Sequence, residues 1–73
     1  DLIRIMQRRL AIARVMSLTV EYFARLRARR PDAQDVLARI ADERRSWDGD
    51  PDAARILDLF LVAAEVPVIG GTP

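Results

Sequence analysis

The stretch from Leu2 to Arg30 is a long apolar run studded with arginines, and it constrains the chain more than any other feature. Leu2, Ile5, Met6, Ala13, Met16, Val20, Phe23 and Ala24 recur at helical spacing on one stripe, with Ile12 at its edge. Val15, Leu18 and Tyr22 fall outside that stripe, and Arg4, Gln7, Arg14, Glu21, Arg25 and Arg29 form the polar side. The pattern predicts a first helix from Leu2 to Arg29, about 40 Å long at roughly 1.5 Å per residue. Pro31 disfavours helix at Arg30 and places the break there. A helix that is apolar on more than one side needs more cover than 73 residues supply, which points to a partner, most simply a second copy. The interface candidates are Leu2, Ile5, Ile12, Val15, Met16, Leu18, Val20, Tyr22 and Phe23.

Two shorter helices follow, and the length of the chain allows a single domain over residues 1–66. A second helix over about 32–47 starts at Pro31-Asp32, with proline tolerated in the first turn and acids near the positive N-terminus. Its narrow apolar face is Ala33, Val36, Leu37, Ile40 and Trp47, while Asp35, Arg39, Asp42 and Arg45 point away. Asp48-Gly49-Asp50 reads as a turn, and Asp50-Pro51-Asp52 as a helix start with Asp50 as N-cap. The third helix, about 51–66, is expected to bury Ile56, Leu57, Phe60, Leu61 and Ala64. Val66 to Pro73 holds two prolines and Gly70-Gly71, so residues 67–73 read as an extended tail. The expected fold is all-α: one long helix and two shorter ones, dimerised through the long helix.

Composition excludes several chemistries. The chain has no cysteine and no histidine, which removes disulfides, thiolate metal sites and the commonest general base. No cofactor or metal is expected, and the absence of cysteine suits a cytoplasmic protein. Leu59 to Ala64 is the longest unbroken apolar run, too short to span a bilayer, and Arg14 interrupts the first helix as a signal peptide would not allow. The net charge of +1 hides an asymmetry: residues 1–30 carry +6 and residues 31–73 carry −5. The plain reading is that the acidic half packs on the basic helix, within a chain or across a dimer. A nucleic-acid footprint is the other reading, and the near-neutral balance without any reading motif argues against it.

Two small constellations remain. Asp48-x-Asp50-x-Asp52 imitates the start of a calcium loop, but Ala53 and Leu59 stand where such a loop needs glycine and a bidentate glutamate. A turn and a helix cap explain it. Arg9 and Arg27 point into the middle of the apolar stripe. Each either snorkels its charge to water near a helix end or faces an anionic group, where its fork can grip a carboxylate. Arg9 is the ligand-binding candidate, for a small carboxylate.

Arg9 also carries a resemblance. Leu2-Ile3-x-Ile5-Met6-x-x-Arg9-x-x-Ile12-Ala13 resembles the first-helix signature of the helical chorismate mutases, in which leucine pairs precede an active-site arginine. Val36-Leu37-x-x-Ile40 falls where that family's second helix has its apolar pair, and Asp50-Pro51 where its third helix starts. The resemblance covers Leu2 to Val66 and implies an intertwined helical dimer. The family's lysine position is Val20 here, its arginine–glutamate pair is Asp32 and Ala33, and its third-helix glutamine falls near Ile69. The chemistry needs several cations around a dicarboxylate, and of these positions only Arg9 matches. The expected function is therefore a non-catalytic helical dimerisation, protein-interaction or regulatory module with no catalytic residue. A divergent chorismate mutase, or a related isomerase or lyase of aromatic biosynthesis, is the alternative. An arginine-rich nucleic-acid binder is the third reading.

Overall fold

The first helix begins where its exposed amides can be satisfied. In the computed structural model, which describes residues 1–67, α1 spans Leu2–Arg27. The Ile3 N–H donates to Asp1 Oδ1 at 3.1 Å, so Asp1 is its N-cap. The helix ends one turn before Pro31 in a Schellman motif. Arg29 takes a left-handed backbone, φ 57°, and donates to Leu26 O, while the Arg30 N–H reaches back to Arg25 O. α1 thus stops two residues short of the expected Arg29, because Arg29 itself is the turning residue.

α2 spans Ala33–Arg45 and runs antiparallel to α1. Three ion pairs fix that direction: Arg14 with Glu43, Arg39 with Glu21, and Arg25 with Asp32. Asp32 sits at the N-cap position yet makes no side-chain cap. Its carboxylate is taken instead by Arg25 and by Arg30 at 2.7 Å. α3 spans Pro51–Ala63 and starts as the sequence predicts, with Asp50 accepting from the Ala53 N–H at 3.3 Å. It ends in a second Schellman motif: Glu65 has φ 59°, and Val66 N–H reaches Leu61 O. The accompanying apolar contact is present too, since Leu61 and Val66 share the core. Pro67 follows, so α3 stops at Ala63 instead of Val66.

The fold is all-α, with three helices and no strand among the described residues. The core gathers Val15 and Tyr22 of α1, Ala33, Val36, Leu37 and Ile40 of α2, Leu57 and Leu61 of α3, and Val66. Trp47 and Phe60 pack against it from the edge. In α3 the small Ala53 and Ala54 are buried, and Ile56, expected inside, is exposed. The seam of α3 runs through Ala53, Ala54, Leu57 and Leu61, which turns Ile56 outward with Leu59 and Val62. The expected tail from Val68 onward lies outside the described residues.

Candidate interaction face

α1 presents two apolar faces, and each meets a different environment. Ala11, Val15, Thr19 and Tyr22 form the inner face, against α2 and α3. Thr19 is accommodated there because its hydroxyl donates to Val15 O at 2.8 Å, so no polar group is stranded. Tyr22 and Phe23 meet edge to face with ring centroids 5.1 Å apart.

The polar side chains next to the inner face tie the helices together. Asp50 is only 5% exposed, and Arg8 grips it through two nitrogens at 2.9 and 3.0 Å. Arg4 adds a contact at 3.2 Å. The same carboxylate caps α3, so Asp50 joins the N-terminal turns of α1 and α3. The Arg8 hydrogen bond holds the Asp50 carboxyl below the usual carboxylate range, against the opposing effect of burial, with help from the Ala53 amide. Glu43 is also held low, first by its bidentate hydrogen bond to Arg14 and then by the Trp47 indole N–H at 3.3 Å. Arg44 bridges Asp58 of α3 to Asp48 of the turn. Asp48 and Asp50 are therefore turned to different arginines. Among the described residues no three histidine, cysteine, aspartate or glutamate side chains are grouped to hold a metal ion.

The outer face of α1 lies opposite the core and is open. Leu2 is 72% exposed and Val20 71%, with Met6, Leu10 and Met16 roughly half to two-thirds exposed between them. Arg9 lies on this face, in a shallow depression of about 620 Å³ with Ile3, Met6, Gln7, Leu10 and Ala13. No second charged side chain lines that depression. Among the described residues Arg9, Arg27, Arg29 and Arg55 form no ion pair, whereas the other eight arginines do.

The interface candidates divide between the two faces. Leu2, Ile5, Met16 and Val20 are exposed, and Ile12, Leu18 and Phe23 are half-buried against the core. Val15 and Tyr22 must be corrected: at 0% and 4% exposure they belong to the chain's own core and are not open to a partner. Ile3 and Leu10, absent from the candidates, are exposed and extend the outer face; a wider arc on the helical wheel finds them. Val20, where the chorismate mutases have a lysine, lies on the surface. Asp32 is committed to two arginines, and Ala33 is in the core. Arg9 and these positions do not converge on one cavity. No family model, curated protein or solved structure matches the chain.

Proposed function

We propose that this protein is a non-catalytic helical module whose outer α1 face is covered by a second copy, on a scaffold resembling that of the helical chorismate mutases. The observation that carries the reading is the continuous apolar strip from Leu2 to Val20 on the side of α1 that its own helices leave bare. Full burial of one large apolar side chain is worth about 1.5–3 kcal/mol. Seven such side chains, from 45% to 72% exposed, leave on the order of 6–13 kcal/mol unclaimed per copy. Exposed apolar strips of this kind mark interaction sites.

The lack of catalysis rests on the same geometry. Arg9 stands alone on an apolar surface, and the other positions that the family would use are a surface valine, an aspartate already paired and a core alanine. The test combines two variants with one assay. Met16→Asp places a charge in the strip while leaving the chain's own core untouched, and it should abolish dimerisation. Chorismate incubated with the wild-type protein should show no loss above background. Turnover that disappears with Arg9→Ala would overturn the non-catalytic reading and favour a divergent mutase.

A further inference from the structure

We infer that Arg8 and Asp50 form a latch that holds the first turns of α1 ready for the second copy; this rests on the dimer reading above. Of the seven large apolar side chains exposed between Leu2 and Val20, five stand within residues 2–10: Leu2, Ile3, Ile5, Met6 and Leu10. The greater part of the open face therefore lies on the first third of α1.

That third has little of its own chain behind it. None of residues 1–10 is buried, and Arg8 alone among them is half-buried. The first buried side chain of α1 is Ala11, and none of the five apolar side chains packs on the core. At helical spacing the inner face that carries Ala11, Val15 and Tyr22 continues towards the N-terminus through Arg8 and Arg4. A cleft of about 510 Å³ lies between Arg4, Gln7 and Leu10 on one side and Trp47, Gly49 and Asp50 of the turn on the other. Among the described residues, the hydrogen bonds that cross from this stretch to the rest of the fold all end on Asp50. Arg8 makes the firmer connection, one nitrogen to each carboxylate oxygen at 3.0 and 2.9 Å, and Arg4 shares Oδ2 at 3.2 Å. Asp50 is a fixed point, since it is buried and caps α3 through the Ala53 amide.

Backbone hydrogen bonds alone hold so short a stretch weakly: helices under about 12–15 residues are marginal in water without packing. Residues 2–10 extend a packed helix, so without the latch they fray from the free end. A frayed stretch no longer presents its five side chains on one face, and each copy must reorder it before pairing. Apparent affinity falls by the fraction of copies that are ordered. Arg8 thus acts on the partner face as a positioning residue, from the side of the helix that the partner does not touch.

Arg8→Gln tests this, because it removes the charged fork while leaving the Asp50 cap of α3 and every side chain of the strip in place. Amide hydrogen exchange is compared with wild type at concentrations where sedimentation gives both proteins the same mass. The amides of Met6 to Leu10 should exchange on the order of ten- to a hundredfold faster, the loss of a hydrogen bond to a charged group. Those of Val36, Leu37 and Ile40 in the core should keep their rates. Arg8→Lys, which retains the charge, should fall between the two. The dimer of Arg8→Gln should also dissociate at a concentration at least about tenfold higher than wild type. Unchanged exchange at Met6 to Leu10, or an equal rise there and in the core, would overturn the latch while leaving the dimer standing. Faster local exchange with an unchanged dissociation constant would overturn its role in pairing. A wild-type protein that is a folded monomer would overturn the dimer reading, and the exchange comparison would still decide the latch.

Discussion

Asp50 is the residue at which the local chemistry of the chain is most concentrated. One carboxylate caps α3, receives Arg8 through two nitrogens and receives Arg4, all at 5% exposure. Asp50→Asn keeps an acceptor for the Ala53 amide and loses the charge. Asp50→Ala loses both and leaves two arginines facing an apolar gap. Thermal unfolding should therefore rank wild type above Asn and Asn above Ala, with Ala lower than wild type by at least about 4–8 °C for a domain of this size. An Asp50→Asn midpoint equal to that of wild type would reduce Asp50 to a cap. The carboxyls of Asp50 and Glu43 are both held below their ordinary values. A depressed folded value means that their contribution is complete above the ordinary carboxylate range and is lost as pH falls through and below it. Melting at pH 7 and near pH 3 should show a drop for wild type, and a smaller one for Asp50→Asn.

At the scale of elements, the helix ends follow from capping chemistry, and two of them run against residue preference. Arg29 and Glu65 both occupy the left-handed position of a Schellman motif, which favours glycine. Arg29→Gly and Glu65→Gly should each stabilise the fold by about 1 kcal/mol, measured by denaturant unfolding. The start of α3 was legible from Asp50-Pro51 and that of α1 from the apolar pattern beginning at Leu2, and the ends less so, since no glycine marks either turn. The two faces of α1 show the limit of periodicity. Leu2, Met6 and Val20 make the more apolar stripe, yet the chain's own core takes the face bearing Val15, Thr19 and Tyr22. What decides is the flanking charge: Arg4 and Arg8 on that side have Asp50 to meet, and Arg14 has Glu43. A pairing across dozens of residues leaves no trace in the local pattern. The acidic half does pack on the basic helix within one chain.

The described residues form a small three-helix unit with one strip of α1 uncovered, the strip that a second copy is proposed to bury. Leu57→Ala, at 1% exposure, should cost about 2–5 kcal/mol and lower the unfolding midpoint at every concentration. Met16→Asp should act through association instead, so its effect should vanish at dilutions where wild type is already dissociated. Sedimentation equilibrium of the wild-type protein at micromolar concentration tests the central claim most directly. The account predicts a single folded species of twice the 8.3 kDa chain mass, with no folded monomer beside it. A stable, fully helical monomer over the whole concentration range would contradict it.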